Sequence, residues 1–208
     1  MTIYPPSRRA LGAAVLGAAL LAGCGSAPRD QFYTLGGAPA TPAAAPAPAA
    51  GATLYFEMRP VTIPAEVRRP QLVVGGREGR VELLEHHRWA GPLVDQITGA
   101  LSLALANELG AVDVYRNPAP EGSAVYRIGA NVQRFESKEG GYALLDATWS
   151  VRRLDGDVQT CRSVLREPVG AGYDALVAGH RAALAKLAAA IAANVRSQAA
   201  GSGAGCAS

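Results

Sequence analysis

The sequence predicts a single α/β domain in which two amphipathic helices and one mixed, largely antiparallel sheet bury each other's apolar faces. Three observations carry this. Leu93, Val94, Ile97, Leu101, Ala104 and Leu105 recur at helical spacing. So do Leu176, His180, Leu184, Leu187, Ile191 and Val195, on a face about 100° wide. Between the two runs, Tyr126, Ile128, Ala130 and Val132, then Leu145, Ala147, Trp149 and Val151, alternate with polar residues, the period of half-buried strands.

The folded part is expected over residues 53–198. Leu54 to Met58 reads as a strand that Val61-Thr62-Ile63 extends past Pro60, and Pro64 ends it because proline has no N–H for a ladder. Gln71 to Val74 and Arg80 to Leu84 flank a glycine-rich connector and read as a hairpin. Pro92 suits the first turn of a helix and Gly110 its stop. Val112 to Tyr115 is a short strand ended by Asn117-Pro118. The two alternating stretches and Val158 to Glu167, joined through Gly140-Gly141 and Asp155-Gly156, form an antiparallel meander with one buried face. Tyr173 to Arg196 is the last helix, and residues 199–208 read as a disordered Gly/Ala/Ser tail. Upstream, Gln31-Phe32-Tyr33-Thr34-Leu35 is an isolated apolar patch, and Gly36 to Gly51, nearly all Ala and Pro, reads as a semi-extended linker that stands the domain off from a surface.

The N-terminus has a different character. Arg8 and Arg9 precede an uncharged apolar run from Ala10 to Ala22, which is shorter than the ~20 residues of a membrane-spanning helix. A basic start, a short apolar run and small residues before Cys24 mark residues 1–23 as a secretory signal. Without Arg8 and Arg9, 18 basic residues face 17 acidic ones, so the charge gives no argument for nucleic acid. Aromatics are only 6 % of the chain, which makes each Trp or Tyr in a strand a candidate core anchor. Three cysteines do not make a disulfide scaffold. With Cys24 modified, Cys161 and Cys206 could pair in an oxidising compartment, although Cys206 lies in the tail.

No stretch carries a catalytic signature. Gly75 to Gly79 resembles a phosphate cradle in composition, but no Gly-Lys-Ser/Thr follows and no helix opens after it. His86 and His87 follow Glu82 and Glu85, yet neighbouring strand residues face opposite ways and could not easily share one ion, so no metal is expected. His180 reads as a hydrogen-bonded histidine at the edge of the core. Cys161 has no nucleophile signature around it, and Ser26 and Ser163 lie in no Gly-x-Ser-x-Gly elbow. Arg68-Arg69 and Arg152-Arg153 are most simply solvated charges, with lipid headgroup or partner contact as the other reading.

Leu21-Ala22-Gly23-Cys24 resembles the bacterial lipobox. That resemblance implies a diacylglyceryl thioether on Cys24, cleavage before it and acylation of the new amino terminus. Further motifs follow in order: Phe32-Tyr33-Thr34-Leu35; Val61-Thr62-Ile63-Pro64 with Arg69-Pro70-Gln71-Leu72-Val73; His87-Arg88-Trp89-Ala90 with Pro92-Leu93; Leu145-Asp146-Ala147-Thr148-Trp149; and Glu167-Pro168-Val169. Together they are similar to the PqiC-type auxiliary lipoproteins of ABC transport systems. The resemblance implies a three-layer α/β domain with a mixed five-stranded sheet, like the anticodon-binding domain, though that fold says nothing of tRNA here. It implies an outer-membrane lipoprotein on the periplasmic face of a Gram-negative envelope, non-catalytic and without a cofactor beyond its acyl groups. Its partner would be an MCE-domain protein of a lipid transport system that supports envelope integrity, with a homo-oligomer as a further possibility. The alternative is a structural envelope lipoprotein with an assembly role and no lipid traffic; a periplasmic enzyme is the third reading. The family often carries Glu where this chain has Gly91. Because Trp and Arg are enriched at interface hot spots, Arg69, Gln71, Arg88 and Trp89 are the expected partner contacts; the competing reading is that Arg69-Pro70 fixes a turn and Trp89 packs under the first helix.

Overall fold

The computed structural model describes residues 29–36, 54–76, 78–154, 156–201 and 205–206. Cys24, the signal and the Ala/Pro segment fall outside the described residues. Among the described residues, eight strands and two long helices follow one another as β1 (Gln31–Tyr33), β2 (Tyr55–Met58), β3 (Gln71–Gly75), β4 (Val81–Trp89), α1 (Leu93–Leu109), β5 (Val112–Asp113), β6 (Val125–Lys138), β7 (Tyr142–Arg153), β8 (Val158–Pro168) and α2 (Tyr173–Ala199).

The chain is α/β with two main helices, and its larger sheet has the expected five strands in the order β5-β2-β6-β7-β8. β2 runs parallel to β5 and β6, and β6, β7 and β8 form the antiparallel meander. The segment after Pro60 contributes one parallel bridge, Thr62 to Asn131, rather than a further strand. Tyr126, Ile128, Val132, Leu145, Ala147, Trp149 and Val151 are buried on its inner face as the alternation predicted. A bulge between Val132 and Arg134 shifts the phase of β6 by one residue, so Phe135 and Ser137 turn inward in its second half.

Two expectations are corrected. The β3–β4 hairpin does not join the five-stranded sheet. It forms a second, three-stranded sheet ordered β1-β4-β3, because β1 occupies the free edge of β4 in parallel register. And Gln31 to Leu35 is not an isolated patch outside the fold: Tyr33 and Leu35 are buried, and Arg181 of α2 donates to the Thr34 carbonyl. Since β1 precedes the Ala/Pro segment, residues 37–53 connect two strands of the folded unit and cannot set its distance from a membrane.

α1 buries Leu93, Ile97, Leu101 and Leu105 and stops at Gly110, whose left-handed φ of 59° suits a residue without Cβ. α2 buries all six predicted positions. Its length and mean hydropathy of 1.4 match a membrane span, but 56 % of that window is buried inside the protein, which makes it the core helix. The approach is closest at Gly179: a Cβ there would overlap Val169 Cγ1 and come within 2.9 Å of Ala143 Cβ. Cys161 of β8 and Cys206 form a disulfide across a sequence separation of 45, so the tail is tied to the sheet at that point.

Candidate functional site

The motifs at residues 32–35, 69–73 and 87–90 converge on the three-stranded sheet, whose pairing sorts their side chains by face, whereas residues 61–64 lie against β6 through the Thr62–Asn131 bridge. On β3, Leu72 and Val74 are buried, so Gln71, Val73 and Gly75 lie on the other side. Gln71 pairs with Arg88, and Arg88 pairs with Phe32 of β1. Val73 pairs with Leu83, and Gly75 with Val81. The outer face therefore carries three rows: Phe32–Arg88–Gln71, then Leu83–Val73, then Val81–Gly75 towards the hairpin turn. Phe32 is 64 % exposed, Val81 61 % and Leu83 38 %.

The polar groups of this face are tied to each other. A register shift between Gln71 and Leu72 leaves Glu85 to His87 without partners in the β3–β4 ladder. There Arg88 Nε donates to the Glu85 carbonyl at 2.7 Å and Gln71 Nε2 to the Glu85 carboxylate at 3.3 Å. Arg69 is exposed on the turn leading into β3, where its N–H donates to the Val67 carbonyl. Trp89 is a correction: it is 5 % exposed and packs edge-on against Phe135 at 6.2 Å, so its ring belongs to the core and not to a docking surface. The Trp89 backbone N–H donates to the Pro70 carbonyl, which fixes the Arg69-Pro70 turn. Of the four expected contacts, Gln71 and Arg88 meet on one face, Arg69 sits at its rim and Trp89 lies beneath.

The histidines divide as strand geometry demands. His86 Nδ1 lies 2.9 Å from Asp30, which holds that carboxyl below its usual range, chiefly through this hydrogen bond. His87 turns inward, with Nδ1 2.9 Å from the Tyr33 hydroxyl and its ring 4.3 Å from that of Tyr173. Burial, then the charge of Asp174, raises the Tyr33 phenol. Among the described residues no three His, Cys, Asp or Glu side chains converge as metal ligands. The glycine-rich turn borders an open depression of about 520 Å³ in which Glu78, Glu82 and Glu139 outnumber Lys138, a lining that repels phosphate.

His180 lies deeper than the expected edge of the core. It is 1 % exposed, stacked on Phe135 at 3.8 Å, with Nε2 2.8 Å from Ser137 Oγ. Nδ1 has no partner among the described residues, and burial lowers the ring's pKa to about 3, so it is neutral. Sequence reasoning missed Phe32 and Asp146. Asp146 is 1 % exposed and takes a bidentate pair from Arg162 Nε and the second guanidinium nitrogen at 2.9 and 2.7 Å. That hydrogen bonding keeps its carboxyl low against the opposing effect of burial.

A family model described as an ABC-type transport auxiliary lipoprotein component matches residues 33–192. The chain belongs to this family. The match begins at Tyr33, the last residue of β1, and so includes the whole five-stranded sheet, β3, β4 and α2 as far as residue 192. The chain also resembles an uncharacterized protein of known crystal structure at 18 % identity and a TM-score of 0.61, over 80 % of this chain and 99 % of that one. Protein XCC0632 from Xanthomonas campestris, of the family DUF330, aligns at 18 % identity with a TM-score of 0.52, over 67 % of this chain and 81 % of its own. At that identity the two show the fold alone. No curated protein matches. Membership makes the chain an auxiliary component of a transport system, in keeping with a protein that carries no reaction of its own and is held in the envelope by lipid.

Proposed function

We propose that this auxiliary lipoprotein is anchored by acyl and diacylglyceryl groups on Cys24 to the periplasmic face of the outer membrane, and that it serves an MCE-type system moving lipid between the two membranes, so supporting envelope integrity. The observation that carries the reading is the family match across residues 33–192, joined to a lipobox-like Leu21-Ala22-Gly23-Cys24 upstream. The domain binds and positions; the transport partner supplies the energy. Arg69 is the residue we assign to contact with an MCE-domain membrane protein, because it is exposed at the end of the small sheet farthest from the hairpin turn, and arginine is favoured at interface hot spots.

The test is affinity capture of the lipidated protein, with the associated proteins and lipids identified by mass spectrometry. Recovery of an MCE-domain protein, reduced by Arg69→Ala at unchanged thermal stability, is expected. Capture that returns only envelope structural proteins would favour an assembly role without lipid traffic.

A further inference from the structure

We infer that the outer face of the β1-β4-β3 sheet rests on the lipid surface in which the chain is anchored. The inference depends on the reading of Cys24 as the anchor. Its first support is the length of the tether. Only residues 25–30 separate Cys24 from β1, and Asp30 is already held by His86. At about 3.5 Å per residue, that reach is about 20 Å at most, less than the diameter of a small domain. The domain therefore lies at the membrane surface, and some face of it must meet the headgroups.

Strand direction selects the face. β1 runs parallel to β4, with Gln31 beside His87, so the chain before Gln31 leads back along β4 towards the hairpin turn. The rows on that side are Leu83–Val73 and Val81–Gly75. Phe32 stands two residues after Asp30 on the same outer face. An exposed Phe with exposed Leu and Val beside it is the composition that sinks into the boundary between headgroups and acyl chains. The polar members of the face are tied to one another: Arg88 bonds the Glu85 carbonyl, Gln71 the Glu85 carboxylate, and His86 Nδ1 lies 2.9 Å from Asp30. A protein occupant would need no such tether, and Arg69 at the far rim stays free to meet one.

The lipidated full-length protein, reconstituted in phosphatidylethanolamine/phosphatidylglycerol vesicles, tests this with a Phe32→Trp variant. Trp89 and Trp149 are 5 % and 1 % exposed, so the new indole is the one that reports contact with lipid. Its emission should shift to the blue and lose intensity when the lipids are brominated along their acyl chains. Val158→Trp, on β8 of the other sheet and 55 % exposed, should show neither change. Vesicles that float with the protein while the indole at position 32 stays unquenched would overturn the docked face and leave the anchor standing. A blue shift without bromine quenching would mean that protein covers the face, which also overturns it. Equal quenching at both positions would remove the preferred orientation. Failure of the protein to float with vesicles would take away the anchor and the inference with it.

Discussion

Gly179→Ala is expected to destabilise the domain, against the usual sign for a helix interior. Alanine is preferred to glycine there by about 1 kcal/mol, so at an open site the change would stabilise. At Gly179 the added Cβ would overlap Val169 Cγ1 and lie 2.9 Å from Ala143 Cβ, which forces α2 off the ends of β7 and β8. Overpacking of this kind costs about 1–3 kcal/mol. The net loss should be up to about 2 kcal/mol after the gain in propensity. Urea unfolding of the oxidised protein measures it. Val169→Ala removes the overlapping methyl, so the double variant should lose less than the sum of the single losses, a coupling of about 1 kcal/mol expected for touching residues. A Gly179→Ala protein more stable than wild type would mean that the helix does not approach the sheet as closely as Gly179 implies.

Trp149 is 1 % exposed and its indole N–H donates to Ser163 Oγ at 3.0 Å. Trp149→Ala should cost about 3–5 kcal/mol, lowering the melting temperature by roughly 6–20 °C; a shift within error would refute the face assignment of β7. His180 titrates at about 3 when folded against 6.5 when free, so the unfolded chain binds the extra proton between those values and stability should fall with pH below 6.5. The slope approaches about 1.4 kcal/mol per pH unit, and a His180→Phe/Ser137→Ala variant should lack it between pH 6.5 and 5 in denaturant titrations. Asp146, its folded pKa depressed by Arg162, contributes stability at neutral pH that is lost only in more acid solution, as pH falls through its folded value. The Cys161–Cys206 bond closes a separation of 45 residues, for which chain entropy gives roughly 4 kcal/mol. Cys206→Ser, or reduction, should lower the melting temperature of the wild type, and a second dose of reductant should leave the variant unmoved.

The elements written by local periodicity were legible. Two helices and the meander follow from apolar spacing alone, and even the capping glycine at 110 could be read. What failed depends on contacts between distant segments. Gln31 to Tyr33 is too short to declare itself a strand, and it becomes one only because β4 offers an edge 54 residues away, where the Tyr33 hydroxyl meets His87. The bulge after Val132 reverses the face of Phe135 without any mark in the sequence, and with it the contacts of Trp89 and His180. Trp89 looked like an anchor because Trp and Arg are enriched at interface hot spots and Arg88 stands beside it; strand alternation alone sends the two to opposite faces.

One three-residue strand therefore governs how the candidate site is read. While Gln31 to Leu35 is taken as a patch beyond the fold, the Ala/Pro segment is a spacer and the domain hangs free of its anchor. Once β1 is paired with β4, that segment becomes an internal connection and the spacer to the proposed anchor at Cys24 shrinks to residues 25–30. The same pairing puts Phe32 in line with Arg88 and Gln71 and joins the expected docking residues to an apolar face. Phe32→Asp separates these consequences. Its side chain is 64 % exposed, so the substitution should leave the unfolding free energy within about 0.5 kcal/mol of wild type while it weakens contact between the lipidated domain and vesicles. A large loss of stability would instead show that Phe32 is a packing residue and that β1 is held by its side chains on both faces.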